Sequence, residues 1–198
     1  MNAQLAFGFE STPRTLVDDA TGHIFYTPRV VAADVAAAWF ATLYDTIEWQ
    51  RERRPMYDRI VDVPRLIAWF GAGDPLPPEL EGPKRAVEAF AQMRFNSVGL
   101  NLYRDERDSV AMHSDRNEML ARGTPVVLLS LGAARRMHIA SKAKPRRNFD
   151  VLLEPGSIFT MGGAAQENWE HGIPKGREPV GMRISLAFRS KAVDPPSV

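Results

Sequence analysis

The sequence contains no cysteine. It therefore forms no disulfide, and it offers no thiolate to a structural zinc site or an iron–sulfur cluster. No apolar run approaches the roughly 20 residues of a membrane-spanning helix, and the first residues, MNAQ, lack the basic start and apolar core of a signal peptide. The net charge is only +1, which is unlike a protein that binds nucleic acid by bulk charge, although a local basic patch would escape such a count. We therefore expect a cytoplasmic protein without membrane contact.

The length of 198 residues suits one domain with an ordinary hydrophobic core. Residues 34–49 place Val35, Trp39 and Leu43 four residues apart among alanines, which predicts a helix. Pro83 suits the first turn of a second helix that runs to about residue 93.

Short apolar runs between turn residues predict strands, mainly after residue 97. The predicted strands lie within 16–31 and at 64–71, 126–131, 137–140, 151–153, 158–161 and 183–189. The charged stretch at 51–59 favours a solvated face over a phosphate-contacting loop. Helices followed by successive strands predict an α+β fold with a β-sandwich or barrel as its catalytic half.

The chain has 4 histidines, and one of them belongs to the motif His113-Ser114-Asp115. On an extended backbone, His113 and Asp115 point the same way because side chains alternate along a strand. With the distant His171 they would form a face of two histidines and one carboxylate, which suits ferrous iron and leaves coordination positions open. The motif alone is weak, since a solvated surface turn has the same letters, and zinc is the rival metal.

The last predicted strand places Arg183, Ser185 and Arg189 on one face, with room for an anion. Arginine is the preferred partner of carboxylates because its planar fork donates two parallel hydrogen bonds. Asn101 and Tyr103 likewise share a face, and each can hydrogen-bond a carboxylate oxygen. The alternatives are exposed arginines on an edge strand and a half-exposed polar strand. Together with the metal face, these residues predict a dicarboxylate co-substrate that chelates iron.

The chain resembles the AlkB family of Fe(II)- and 2-oxoglutarate-dependent dioxygenases. The matching segments, in chain order, are PRLIAWFG at 64–71, NLYR at 101–104, DSVAMHSD at 108–115, PVVLLSLGAAR at 125–135, GS at 156–157, WEHGIPK at 169–175 and RISLAFR at 183–189. Their order and spacing extend over nearly the whole chain, which makes the likeness much more specific than one motif.

The resemblance implies a double-stranded β-helix, or jelly-roll, core with N-terminal helices and a nucleotide-recognition lid. It divides the single domain 1–198 into an N-terminal extension with the lid (1–96), a catalytic core (97–191) and a tail (192–198). It implies Fe(II), 2-oxoglutarate and O2 as cofactor and co-substrates. The implied reaction couples decarboxylation of 2-oxoglutarate to hydroxylation of an N-methyl group, which leaves the base as formaldehyde.

The resemblance also assigns the site residues by position. The implied iron ligands are His113, Asp115 and His171. The implied contacts to the distal carboxylate of 2-oxoglutarate are Tyr103 and Arg183, and those to its iron-chelating end are Asn101 and Arg189. Ser185 stands where many family members have asparagine, a change that co-substrate binding should tolerate.

The substrate side is marked by aromatic and basic residues. Trp69 or Phe70, with the ring of His113, would stack on a base that is flipped out of a duplex or comes from a single strand; the alternative for Trp69 is a core position. A basic cluster around the predicted loop 141–148 is a candidate phosphate contact, with a solvated hairpin tip as the alternative. Its members are Arg135, Arg136, Lys142, Lys144, Arg146 and Arg147. His138 beside them is interpreted as a surface residue.

Two departures from the family pattern lie on this side. The segment DPLPP at 74–78 replaces a tyrosine-rich stretch, and Arg116 with Asn117 replaces an acidic residue. Both bear on which base is preferred.

The sequence thus predicts a monomeric demethylase of N-alkylated bases, such as 1-methyladenine and 3-methylcytosine, in single-stranded DNA or RNA. One alternative is an oxygenase of the same fold that acts on a tRNA, a protein or a small molecule. Another is a non-catalytic nucleic-acid-binding module.

Overall fold

The computed structural model describes residues 12–56, 59–115, 120–121 and 123–191, with the backbone alone for 54–56 and 59–61. The predicted tail at 192–198 and both Arg116 and Asn117 lie outside the described residues, as does most of the N-terminal arm.

The described residues form twelve strands and three helices. The strands are β1 (Arg14–Asp19), β2 (Gly22–Thr27), β3 (Gln50–Met56), β4 (Arg59–Phe70), β5 (Ser97–Tyr103), β6 (Val110–His113), β7 (Val126–Gly132), β8 (Arg135–Ser141), β9 (Asn148–Leu153), β10 (Ile158–Gly162), β11 (Trp169–Ile173) and β12 (Arg183–Arg189). The helices are α1 (Ala33–Thr46), α2 (Pro78–Ala91) and the single turn α3 (Ala165–Asn168).

The strands form two antiparallel sheets. The large sheet has the order β1-β2-β10-β7-β12-β5-β4-β3, and the small sheet has the order β6-β11-β8-β9. Many of these neighbours are distant in sequence, so the sheets are built by long crossovers rather than by hairpins alone. This arrangement confirms the predicted α+β fold with a jelly-roll core.

Alternation along the central strands creates two hydrophobic clusters. One face of the large sheet packs on α1 and α2, with Leu100 and Leu186 among its buried residues. The other face meets the small sheet, with Tyr103, Ala187 and Trp169 in the buried layer. Side chains two residues apart on a strand share a face. Asn101 therefore lies on the same face as Tyr103, and Ser185 on the same face as Ala187, between the two sheets. The sheet thereby presents a predicted co-substrate face to the strands that carry the predicted metal ligands.

Helix α1 confirms the predicted first helix, and α2 corrects the second. Helix α2 begins at Pro78, which occupies its first turn, while Pro83 lies inside the helix. The predicted start at Pro83 was wrong because a proline pair at 77–78 already supplies the preset φ of a helix start. Glu79 and Glu81 in the first turn add favourable charge at the helix N-terminus.

Within the charged stretch, residues 51–56 belong to β3 and residue 59 begins β4. Strand β3 pairs with β4 in antiparallel register, from Gln50 opposite Ile67 to Met56 opposite Arg59. This hairpin lies at one edge of the large sheet, and β1 and β2 lie at the other. Strands from residues 1–96 therefore share a sheet with strands from 97–191. None of the described helices is long and apolar enough to cross a membrane.

Candidate metal and co-substrate site

The three predicted metal ligands come together on the small sheet. His113 ends β6 and lies directly opposite His171 of the neighbouring β11. Their ring centres are 4.5 Å apart, and Asp115 follows two residues after His113. One ligand atom from each of the three residues lies within 4.8 Å of the others. Two imidazoles and a carboxylate in this arrangement form the donor set of non-haem iron.

The loop that carries Asp115 is fixed by hydrogen bonds to strand β11 and helix α3 of the same chain. The Ser114 hydroxyl donates to the Trp169 carbonyl (2.8 Å), and the Asp115 backbone N–H donates to Oε1 of Gln166 (2.8 Å). The His113 Nδ1 donates to the Ala111 carbonyl (2.8 Å). Because a carbonyl only accepts, Nδ1 carries a proton, which makes Nε2 the ring atom that can face a metal.

The environment of His171 favours a neutral, ligating imidazole. Its ring is buried with 4% exposed, and Nδ1 has no hydrogen-bond partner within the described residues. Burial, followed by the nearby His113, lowers its pKa to about 4. A metal binds only the neutral imidazole, so this residue is prepared to bind a metal at neutral pH.

Arg189 binds the carboxylate ligand. Its Nε and Nη2 both donate to Oδ2 of Asp115, at 3.1 and 2.9 Å. A carboxylate can accept several bonds at once, so this pair is compatible with metal ligation by Asp115. The resemblance implies that Arg189 contacts the iron-chelating end of 2-oxoglutarate, and its place beside a ligand is consistent with that prediction.

Arg183 is the clearest anion-binding group of the interior. The side chain is 1% exposed, and its Nη2 donates to the Ser130 hydroxyl (2.8 Å). Its Nε and Nη1 have no partner within the described part of the chain. Burial lowers its pKa to about 10, which still leaves the guanidinium charged at neutral pH. A buried cation with two unused donors strongly favours a carboxylate ligand.

The other predicted co-substrate residues lie on the same face as Arg183. Tyr103 is directly opposite Arg183 across β5 and β12, and Asn101 is opposite Ser185. The guanidinium carbon of Arg183 is 5.3 Å from the centre of the Tyr103 ring. Burial raises the pKa of the Tyr103 phenol, so it stays protonated and can donate a hydrogen bond.

Two interior residues were missed by the sequence reasoning. Ser130 lies opposite Ser185 on β7 and anchors Arg183, but in the sequence it is only a serine within an apolar run. Arg65 donates from Nε to Oδ1 of Asn101 (2.6 Å). It stands in the matched segment PRLIAWFG without an assigned role, and its contact depends on the register between β4 and β5.

The structure corrects the placement of Arg135 in the exposed basic cluster. Arg135 is 5% exposed and donates to the carbonyls of Asp105, Asp108 and Pro174. Its guanidinium carbon also lies 5.6 Å from the centre of the Tyr103 ring. These bonds tie β8 to two loops, so Arg135 holds the interior together and does not reach a phosphate.

The two candidate stacking residues face opposite sides of the large sheet. Trp69 is 44% exposed and lies opposite Gly99 on β5, where an added Cβ would come within 2.9 Å of the indole. Arg189 is also beside this ring, with 5.8 Å from its guanidinium carbon to the ring centre. Trp69 is therefore near the metal ligands and is not a core residue. Phe70 packs on the helix-side cluster, which corrects its placement in the substrate stack.

The remaining basic residues of the predicted cluster are exposed, and most have partners. The contacts are Arg136 with Asp150 at 3.4 Å, Arg146 with Glu170 at 4.0 Å, Arg147 with Asp19 at 2.7 Å, and Lys142 Nζ with the Gln166 carbonyl at 3.0 Å. Lys144 is exposed, with no ion pair in the described part of the chain. His138 is partly exposed and contacts Asp150, which agrees with its interpretation as a surface residue.

Comparison with known proteins decides the family. The family model of the 2OG-Fe(II) oxygenase superfamily matches residues 71–189. The chain belongs to this superfamily, and within it to the AlkB family. The superfamily uses Fe(II), 2-oxoglutarate and O2, and the residues described above fit both the metal and the keto acid.

The similar proteins include alkB homolog 3, an alpha-ketoglutarate-dependent dioxygenase. The human protein is 34% identical over 176 residues, which is 77% of this chain and 60% of the relative. The bovine DNA oxidative demethylase ALKBH2 is 32% identical over 119 residues, which is 57% of this chain and 43% of that protein. The chain thus spans about 60% of the human relative's length. A solved structure of OsALKBH1 matches 89% of this chain with a TM-score of 0.61 and 14% identity, which supports the fold alone.

Proposed function

We propose that this protein removes N-linked methyl groups from bases of the 1-methyladenine and 3-methylcytosine type in single-stranded DNA or RNA. One O2 and one 2-oxoglutarate are consumed. One oxygen atom enters succinate as CO2 is lost, and the other converts N–CH3 to N–CH2OH. The hydroxymethyl group then leaves as formaldehyde: its O–H proton is released, the electrons of the C–N bond return to the ring nitrogen, and the cationic base becomes neutral. We place this activity in a cytoplasmic monomer.

The exposed Trp69 beside the metal ligands is the observation that carries the proposal. An indole is a broad stacking surface for a nucleobase, and it is the aromatic ring that a cationic group prefers. Bases of the 1-methyladenine and 3-methylcytosine type carry a positive charge, so stacking on this ring stabilises them more than it stabilises neutral bases. Trp69 contacts Arg189, which binds Asp115, so a base on the indole would lie close to the metal.

A candidate phosphate contact adjoins the same ring. The Nζ of Lys191 lies 4.2 Å from the centre of the Trp69 ring, and its backbone is held on both sides by the Asn96 amide. No carboxylate in the described part of the chain pairs with this ammonium group. A lysine beside a stacking surface, without a carboxylate partner among the described residues, suits the phosphate that follows a stacked base.

The experiment is a panel of oligonucleotides with and without one methylated base, as single-stranded DNA, single-stranded RNA and duplex. Formaldehyde and succinate are measured in the presence of Fe(II), 2-oxoglutarate and O2, with His113→Ala as the control. The proposal requires equal amounts of both products from methylated single strands and none from the control. Activity that survives in His113→Ala would contradict it.

One observation favours a second candidate substrate class. Most exposed basic residues of the β8–β9 hairpin are already paired with acids, so this surface offers little free charge to a long nucleic acid. A protein side chain or a small molecule at the same iron site is the alternative that this observation favours. Succinate release that responds to such a substrate, and not to any methylated oligonucleotide, would establish it.

A further inference from the structure

Arg65 links three parts of the interior that the reaction needs together. It lies on β4, opposite the co-substrate strand β5, and its Nε donates to Oδ1 of Asn101 at 2.6 Å. Its Nη1 reaches the Ser109 carbonyl at 3.4 Å. Ser109 in turn donates its backbone N–H to the Pro64 carbonyl at 2.8 Å. Ser109 immediately precedes β6, which ends in His113. Arg65 therefore links its own strand β4 to β5, which carries Asn101, and to β6.

The contact with Asn101 fixes which way its amide points. An amide has an accepting oxygen and a donating NH2 group, and either can occupy the same place in a structure. A guanidinium has only donors, so it must face the oxygen. A flipped amide would set its NH2 against the guanidinium, with donor facing donor. The charged, short hydrogen bond therefore selects one of the two orientations.

The selected orientation sends the NH2 group toward the anion-binding residues. Strand β5 lies between β4 and β12, with Asn101 opposite Ile67 on one side and Ser185 on the other. An oxygen turned toward β4 turns the NH2 toward β12, the strand that carries Arg183. Asn101 then adds a donor to a site that already holds unused donors of Arg183.

The charge of Arg65 contributes to the same site. Arg65, Arg135 and Arg183 each act electrostatically on the Tyr103 phenol and favour its ionised form, against the larger effect of burial. Arg135 is occupied by three carbonyls. Arg183 has donors left for a ligand, and Arg65 directs a neighbouring amide. Three cations around one phenol form a positive environment for a doubly charged keto acid.

We propose that Arg65 is a positioning residue for 2-oxoglutarate: it holds the Asn101 amide with its NH2 group toward the bound keto acid. The proposal rests on the co-substrate of the superfamily and on the predicted contact between Asn101 and 2-oxoglutarate. It does not depend on which base, or which other substrate, the enzyme oxidises.

The test is a double-mutant cycle with Arg65→Gln, Asn101→Ala and the combined variant. The full chain is loaded with Fe(II) without oxygen, and the dissociation constant of 2-oxoglutarate is measured from the charge-transfer absorption of the complex. Titration calorimetry with Mn(II) in place of iron gives a second value. Arg65→Gln should raise the dissociation constant about tenfold, as expected when a charged hydrogen-bond partner is lost. The combined variant should lose clearly less affinity than the sum of the two single losses, because most of the effect of Arg65 acts through the amide.

Two further variants separate positioning from a general loss of structure. Arg65→Lys keeps a charged donor and should recover part of the affinity. Arg51 is exposed on the neighbouring β3, so Arg51→Gln is the matched control and should bind 2-oxoglutarate normally. At saturating 2-oxoglutarate, Arg65→Gln should retain most of its kcat, since the change affects the KM for the keto acid.

Three results would overturn the proposal. One is an unchanged dissociation constant in Arg65→Gln. Another is a combined variant whose loss equals the sum of the two single losses. The third is an equal loss of Mn(II) affinity in Arg65→Gln without 2-oxoglutarate, since that would show that the arginine only holds the metal strand in place.

Discussion

The arginines of the interior and those of the β8–β9 hairpin have opposite surroundings. Arg135 and Arg183 are both buried beside the Tyr103 ring. Their hydrogen bonds go to carbonyls or to a hydroxyl. The hairpin arginines are exposed, and each faces a carboxylate. These pairs are Arg136 with Asp150, Arg146 with Glu170 and Arg147 with Asp19.

This difference leads us to expect the anion site at the unsatisfied donors of Arg183 and not at the denser basic stretch. The β8–β9 hairpin has the densest basic stretch of the sequence, but its arginines are paired with surface carboxylates, and such ion pairs contribute little to stability. Arg183 is a single residue, yet a buried guanidinium with two unused donors is unfavourable until an anion arrives. We therefore expect substitutions in the two regions to have very different effects on the binding of 2-oxoglutarate.

The largest effect should come from breaking the arginine–carboxylate pair of the interior. Asp115→Ala removes a metal ligand and the partner of Arg189, so it should lower kcat/KM by more than about 100-fold, since even partners behind a ligand cost 10–100-fold. Fe(II) binding, measured by titration without oxygen, should be lost as well. Asp150→Ala breaks a pair on the hairpin and should leave both quantities near wild type. Comparable losses in the two variants would contradict the comparison.

A smaller effect is expected from Arg183→Gln, which removes the charge that awaits the keto acid. The dissociation constant of 2-oxoglutarate should rise roughly 30-fold or more, as for the loss of one partner in a buried charge pair. Arg147→Gln on the hairpin is the matched control, and it should change neither this constant nor the thermal unfolding midpoint appreciably. The interior would not be the anion site if both variants bound the keto acid alike.

The substrate side should be separable from the co-substrate side. Trp69→Ala should reduce kcat/KM for a methylated oligonucleotide about tenfold, in line with the stacking of one base on one aromatic ring. The dissociation constant of 2-oxoglutarate should change much less, because Asp115 still holds Arg189 in place when the indole is removed. Trp69→Phe should lose less, since it keeps a stacking ring. An equal loss of keto-acid binding would mean that Trp69 supports the interior instead.

The smallest effect compares two lysines. Lys191→Met keeps the length of the side chain beside Trp69 and removes its charge. The slope of log affinity against log salt for single-stranded DNA should become shallower by about 0.7, the value of one phosphate contact. Lys144→Met in the hairpin should leave the slope unchanged. The opposite pattern would place the phosphate contact on the hairpin, where the sequence predicted it.

The sequence was enough to group the interior residues, because alternation along a strand is a strong local rule. Residues two apart on a strand share one face. This rule is enough to group Asn101 with Tyr103 and Arg183 with Ser185. The metal ligands follow from one short motif and one distant histidine. None of these inferences needed to know which strands are neighbours.

The errors have equally local causes. Arg135 and Arg136 are adjacent letters, but alternation turns one inward and the other outward, and the composition of the segment gives no sign of which. Trp69 depends on Gly99 of another strand, and the contact of Arg65 with Asn101 depends on the β4–β5 register. Pairing between distant strands is decided by the packing of the whole fold, so these contacts were beyond a reading of the sequence.

The most direct test is a titration of 2-oxoglutarate into Fe(II)-loaded protein without oxygen, followed by the charge-transfer absorption of the iron–keto acid complex. The band should appear with wild type and with Arg147→Gln, need far more keto acid with Arg183→Gln, and be absent with Asp115→Ala. A wild-type protein that binds iron and develops no band at any concentration of 2-oxoglutarate would contradict the account.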